Sequence, residues 1–154
     1  IVMIGAIAVF SNGVTGPLIG SGKPGPSAQC ESAASIASLN AQPTGSIAGS
    51  NNLGPLFLLS TPHRVIAGPY HRNVDGNLAW INAMTGTPDE ARAILQKVKV
   101  SILAICPTEA DESSLSAEAP NGFLAQLISG KSFDWLEPVQ GTMDKPLKLW
   151  RIAG

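Results

Sequence analysis

The apolar positions of this chain change period along its length, and the changes mark its elements. From Ala28 to Asn40, Cys30, Ala34 and Ala37 recur at helical spacing with Ile36 and Leu39 alongside, which predicts a short helix ended by Gln42-Pro43. Gly45 to Ser50, GSIAGS, reads as a strand of small residues, and LGPLFLL after it reads as a helix that Asn51 or Asn52 would cap. Val65, Ile66 and Ala67 then form a short apolar run inside TPHRVIAGPY. Pro62 and Pro69 bias the residues before them towards extended backbone, so the run is expected to be a buried strand. Strand, cap, helix and strand together predict a compact βαβ unit.

The second half is more regular. Leu78, Ile81 and Met84 are spaced three apart with Trp80 beside them, giving a helix from Val74 to Met84 that Asn73 or Asp75 starts and Gly86 stops. Thr87-Pro88-Asp89-Glu90 is the sharpest local signal: a capping threonine, proline at the first helical position, acids in the first turn and Glu at the capping-box position. Ala91, Ile94, Leu95 and Val98 make one apolar stripe of that helix, with Lys97 and Lys99 at its carboxyl end. VSILAIC, Val100 to Cys106, is almost wholly apolar, as a central strand covered on both faces should be. Thr108 to Ala119 reads as an acidic Ser/Ala surface loop. Asn121 to Ser129 reads as a helix with Phe123, Leu124, Leu127 and Ile128 inward, stopped by Gly130. Phe133-Asp134-Trp135-Leu136 anchors the next loop, and LKLWRI, Leu147 to Ile152, alternates apolar and basic in the manner of an edge strand. The expected class is α/β: a small mixed, mainly parallel sheet with short helices on both faces.

Composition narrows the setting. With 154 residues, 44% of them hydrophobic, the chain suits one core. Ten basic residues against eleven acidic ones leave a net charge of -1, which supplies no bulk attraction to nucleic acid or to an anionic membrane surface. The opening IVMIGAIAVF is apolar throughout but shorter than the ~20 residues a membrane-spanning helix requires, and no basic flank precedes it. Residues 1–10 are therefore expected to be the end of a truncated membrane helix, 11–27 a Gly/Pro/Ser linker, and 28–154 a single soluble α/β domain. Within the linker, GSGKPG (Gly20 to Gly25) spells GxGxxG, but no strand precedes it and Pro24 stands where a magnesium-binding hydroxyl would be. No phosphate cradle and no cofactor are expected.

Chemistry concentrates in Thr61 to Asn73, TPHRVIAGPYHRN, where His-Arg occurs twice, at His63/Arg64 and His71/Arg72. A strand advances ~3.3 Å per residue, so the two histidines are too far apart to share a metal, and none is expected. Tyr70, His71, Arg72 and Asn73 are the candidate substrate-binding residues: Arg72 offers a bidentate fork and His71 a second donor to a phosphate or to sugar hydroxyls. The competing reading makes the same four a structural corner. No Ser or Cys sits in a nucleophile-elbow pattern, so no catalytic residue is assigned. Asp134 and Glu137 flank Trp135, a combination able to hold a sugar, against a simpler role for that tryptophan in the core. Cys30 and Cys106 are 76 positions apart, either two buried thiols or one disulfide.

The succession SNNLGPLFLLSTPHRVIAGPYHRNVDGN, TPDEARAILQKVKVSILAICP, FLAQLISGKSFDWLEPV and PLKLWRI resembles the C-terminal region of large polytopic bacterial membrane proteins of the GT-C glycosyltransferase type. More distantly, the order of turns, helices and apolar strand is similar to the C-terminal part of the oligosaccharyltransferase catalytic subunit. Asn52-Leu53-Gly54 stands where that family carries its tryptophan-and-aspartate motif. The resemblance implies a periplasmic accessory domain at the bacterial inner membrane, joined to the transmembrane part of its own polypeptide. It also implies a Cys30–Cys106 disulfide and contact with glycan or lipid-linked sugar. Catalytic acids would lie in loops between membrane helices, leaving this domain non-catalytic by itself. The alternative is a free-standing binding or scaffold module.

Overall fold

The computed structural model describes residues 25–154, so the apolar run at 1–10 and most of the 11–27 linker lie outside the described residues. A 3-10 turn, Pro26–Gln29, leads into α1 (Ala33–Asn40), so the helix expected from Ala28 is broken at Cys30 to Ser32. The order continues β1 (Ser46–Ala48), α2 (Gly54–Ser60), β2 (Arg64–Val65), α3 (Val74–Thr85), α4 (Pro88–Lys97) and β3 (Ile102–Ile105). It closes with α5 (Ala110–Glu118), α6 (Phe123–Ile128), β4 (Leu136–Pro138) and β5 (Lys148–Ile152).

The strands form one five-stranded mixed sheet in the order β2-β1-β3-β5-β4. β1 runs parallel to both β2 and β3, completing the order of the expected βαβ unit, but β2 is a two-residue edge strand, Arg64–Val65, and not a buried run over Val65 to Ala67; β5 runs antiparallel to β3 and β4. The α/β class holds, with the four ladders divided evenly between the two senses. β5 corrects the expectation of an edge strand: it lies between β3 and β4, and its alternating Lys148 and Arg151 reach solvent from within the sheet. Alternation reports which face a residue takes; it is silent on whether a neighbour covers the strand's edge.

β3 is buried throughout and feeds two cores by alternation. Leu103 and Ile105 meet Trp80, Met84, Leu95 and Phe123 of the helices on one face. Ile102 and Ala104 meet Leu39, Leu53 and Phe57 on the other. Burial of each large aliphatic or aromatic side chain here is worth about 1.5–3 kcal/mol, which is why so apolar a strand must be roofed on both sides. The α4 capping box forms as its sequence predicts, Thr87 and Glu90 each accepting from the other's backbone N–H. Phe123, Phe133 and Trp135 stack at centroid separations of 5.3 to 6.1 Å, so Trp135 is a core anchor and not a sugar platform. Gly130 takes φ +94° after α6, the left-handed stop expected of it. Ile128, expected inward, is exposed because α6 ends at that residue and turns it outward.

Cys30 and Cys106 are joined, fastening the segment before α1 to the end of β3. Both sulfurs are fully buried in the second core. His63 acts as a second clasp: its Nδ1 accepts from the Gly45 N–H at 3.1 Å and its Nε2–H donates to the Leu39 carbonyl at 2.8 Å, tying α1 to the start of β1 and β2. A bond closing a loop of this length contributes roughly 4 kcal/mol on the chain-entropy model. Neither cysteine of the folded, unreduced protein should react with a thiol reagent until reductant and denaturant are both present; labelling under denaturant alone would show the bond absent.

Candidate functional site

β1, β2 and β3 are parallel, so their carboxyl ends lie at one end of the sheet. The chain leaves β1 for β2 on one side and leaves β3 for β4 and then β5 on the other, which makes the gap between β1 and β3 a topological switch point, where open α/β sheets most often bind ligands. Three loops converge there, after β1, β2 and β3.

The loop after β2 carries the predicted residues. The Tyr70 N–H donates to the Gly68 carbonyl at 2.8 Å across Pro69, and the Asn73 N–H donates to the Tyr70 carbonyl at 3.0 Å. A tight three-residue turn thus runs into a four-residue turn, and the second turn places His71 and Arg72 at its two central positions. The Tyr70 ring folds back over Gly68, where an added Cβ would come within 2.5 Å of it, so a larger residue there would push the ring aside. Tyr70, His71 and Arg72 are exposed and engage no side-chain hydrogen bond or ion pair among the described residues. Asn73 differs from them: half-buried, it donates from Nδ2 to the Ile66 carbonyl at 2.9 Å and to Asn77 Oδ1 at 3.0 Å. It occupies the N-cap position of α3 without a capping bond from its side chain.

Sequence reasoning missed Asn77. Its Oδ1 accepts from the Gly68 N–H and its Nδ2 donates to the Gly68 carbonyl, both at 3.0 Å, so one amide holds both polar groups of a buried glycine as a neighbouring strand would. The signal was the spacing of Asn73 and Asn77, one helical turn apart at the start of a helix. The loop is therefore part corner and part presentation: Asn73 and Asn77 hold it, and Tyr70, His71 and Arg72 are displayed by it.

The loops after β1 and β3 correct two further expectations. Asn51 and Asn52 do not cap α2; Leu53 sits at that position and the helix starts without a side-chain cap. Asn52 Nδ2 instead donates to Glu109 Oε1 at 2.7 Å, and Ser50 Oγ donates to Glu109 Oε2 at 2.8 Å. Residues 108–119 are not a solvated acidic loop. They form α5, with Glu109 capping it through the Asp111 N–H and with Glu109 and Glu112 buried, 3% and 0% exposed. The acidic composition masked an amphipathic helix in which Glu112 and Leu115 share the inward face.

The two glutamates end in opposite protonation states. Burial pushes Glu109 up, but hydrogen bonds from Asn52, Ser50 and the N–H groups of Asp111 and Ala110 outweigh it and hold the carboxyl below its ordinary value. Glu112 has one such donor, the Cys106 N–H at 3.1 Å, and its Oε2 has no partner among the described residues. Burial therefore wins and, with the charges of Glu109 and Asp111 adding to it, carries Glu112 to about 9. Asn51 Oδ1 and Trp80 Nε1 are likewise buried without a partner among the described residues. Both carboxyls are sealed from solvent, so the pair serves to clamp the β1 loop to α5. No group of three or more His, Cys, Asp or Glu side chains suited to a metal occurs among the described residues.

No family model matches this chain, and no curated protein matches it. Among solved structures it is similar to the C-terminal globular domain of oligosaccharyltransferase from Archaeoglobus fulgidus, with 12% identity and a TM-score of 0.54 over 74% of this chain and 88% of that one. The likeness is one of fold.

Two outcomes follow from this geometry. Because the folded pKa of Glu112 is raised above the ordinary 4.5, its contribution to stability is whole below 4.5 and is lost as pH rises towards about 9. Glu112→Gln should flatten the stability-pH profile over that window and be more stable than the parent at pH 8, measured by urea denaturation; an unchanged slope would show Glu112 ionised in the fold. Asn77→Ala should cost ~1–3 kcal/mol in the same assay by stranding the Gly68 N–H and removing one of the two donors to the Gly68 carbonyl, and wild-type stability in that variant would remove the anchor.

Proposed function

We propose that this chain is the periplasmic, C-terminal accessory domain of a bacterial polytopic glycosyltransferase of the GT-C type, one that uses a lipid-phosphate-linked sugar. The observation that carries the reading is the shared fold: the similar solved structure is itself the C-terminal globular domain of an oligosaccharyltransferase. The order of motifs along the chain supports the same class, and the buried disulfide suits an oxidising compartment outside the cytoplasm.

In this reading the domain performs no chemistry alone. Its two buried carboxyls, one lowered and one raised from the ordinary value, are sealed inside a clamp, and its displayed groups, Tyr70, His71 and Arg72, are suited to binding. Arg72 would supply two parallel N–H donors to a phosphate or sugar oxygen pair, with His71 adding a donor and Tyr70 an aromatic face for a sugar ring. Their partners are the acceptor glycan, the lipid-linked sugar or the transmembrane part of the same polypeptide. The turn that displays them is pinned from behind by Asn73 and Asn77, so the side chains can engage a ligand without the backbone rearranging.

In the intact membrane protein, Arg72→Ala should reduce sugar transfer by roughly tenfold, the loss expected for one charge-assisted contact. Its melting temperature should remain close to that of the parent, since Arg72 is exposed. A large drop in melting temperature would turn the loop into a purely structural corner. Turnover of activated sugar by the 154-residue chain alone would refute the non-catalytic assignment.

A further inference from the structure

Helix α6 is short, and a cavity lies at its end. The helix has six residues and stops at Ile128, where the Gly130 N–H donates to the Leu127 carbonyl and the Lys131 N–H to the Gln126 carbonyl, both at 3.0 Å. With Gly130 in the left-handed region, this pair of bonds ends the helix abruptly and fixes the backbone at Lys131. Between that end and strands β4 and β5 there is a cavity of about 380 Å³, at the sheet edge opposite β2. Ligand sites commonly begin at about 300 Å³.

The apolar part of its wall is held in place. Leu136 of β4 and Trp150 of β5 are buried, and the Phe133 ring packs on Phe123 and Trp135 at 5.3 and 6.1 Å. Met143 lines the cavity from the loop between the two strands. Its neighbour Thr142 is buried, the hydroxyl donating to the Val139 carbonyl and accepting from the Leu149 N–H, so that loop is pinned as well. Ile128 completes the wall from an exposed position; a ligand in the cavity would give this apolar side chain the partner it lacks at the end of its helix.

The charged part of the wall has one sign. Lys131 and Lys148 line the cavity, and none of the described residues that line it is acidic. Lys131 Nζ sits 5.6 Å from the centre of the Phe133 ring and donates to Gln126 Oε1 at 2.6 Å. Lys148 Nζ donates to the Met143 and Lys145 carbonyls. An ammonium has three N–H donors, so each lysine keeps at least one uncommitted among the described residues. A carboxylate or phosphate head satisfies such donors, whereas a cation is repelled by both. Sugar hydroxyls must donate as well as accept, and this wall offers them no carboxylate or amide side chain.

We propose that this cavity binds a small anionic amphiphile, its apolar body against Phe133, Leu136 and Trp150 and its carboxylate or phosphate head on Lys131 and Lys148. An apolar cavity of about 150 Å³ holds a benzene ring, so the body that fits here has roughly ten to fifteen carbon atoms. The site is separate from the turn at Tyr70 to Arg72, which follows the strand at the other edge of the sheet, and it stands whether or not the glycosyltransferase reading holds.

The test titrates the 154-residue chain in a calorimeter with sodium decanoate and with decyl phosphate, both below their micelle concentrations, and with decyltrimethylammonium as the chain-matched cation. At least one anion should bind at a single site, tenfold or more tightly than the cation, and should shift the methyl resonances of Ile128 and Met143. Lys131→Met should weaken that binding by about tenfold, the loss of one charge-assisted contact, with little change in melting temperature because Lys131 is exposed. Ile128→Trp, which fills the cavity from an exposed position, should abolish it. Equal affinity for the cation would overturn the anionic assignment. Failure of both anions to bind, or binding that Lys131→Met and Ile128→Trp leave unchanged, would overturn the site itself. The tighter of the two anions identifies the head group, carboxylate or phosphate. Neither sugar donor nor acceptor enters this assay, so its failure leaves the effect of Arg72→Ala on sugar transfer to be judged by itself.

Discussion

A strand that is apolar on both faces imposes one demand on the rest of the molecule: each face must be roofed. In β3, Leu103 and Ile105 point to one side and Ile102 and Ala104 to the other, with none of the four reaching solvent. Helices α3, α4, α5 and α6 supply one roof, and α1 and α2 with the Cys30–Cys106 bond supply the other. The position of the strand in the middle of the sheet follows from the same demand, since an apolar edge would leave both its backbone and its side chains unsatisfied.

The parallel run of β1, β2 and β3 brings the loops that follow them to one end of the sheet, and there the polar groups must be matched. The two buried glutamates show how the number of donors settles the outcome. Desolvating a carboxylate costs several kcal/mol, while each hydrogen bond to a charged group returns ~1.5–3 kcal/mol. Glu109 collects donors from Ser50, Asn52 and the backbone of α5 and stays ionised. Glu112 collects only the Cys106 N–H and takes up a proton instead. The ionised member stitches the β1 loop to α5, so the switch point is closed by polar bonds rather than open as a cleft. Tyr70, His71 and Arg72 lie outside that closure, on an exposed turn.

The same economy of anchors explains why that turn can be exposed and still well defined. Gly68 is buried, yet among the described residues no strand lies beyond β2; Asn77 accepts from its N–H and joins the Tyr70 N–H in donating to its carbonyl. The helix that supplies this amide also carries Val74, Leu78 and Ile81 outward, so the turn and the apolar face are fixed to a single rigid element.

Local chemistry was legible from the residues alone. The Thr87 to Glu90 capping box, the Gly130 stop, the central VSILAIC strand and the βαβ order all formed as written, because each depends on neighbours within a few positions or on a run too apolar to lie anywhere but inside. What failed was whatever depended on distant partners. Alternation in LKLWRI could not reveal that β4 would cover its open edge, and the acids of 108–119 could not announce the Ser50 and Asn52 donors that meet one of them. Asn51 and Asn52 had the composition of caps, but the Asn52 amide and the Asn51 backbone N–H bond to Glu109 and Asp111 instead. Cysteine spacing left two thiols or one bond equally open until the fold brought positions 76 apart together. The sequence by itself determined the elements and which of their faces are apolar, since periodicity and capping are properties of a few adjacent residues. Only the tertiary structure decided which polar groups are buried together, because burial and its hydrogen-bond partners come from residues that meet across the fold and not along the chain.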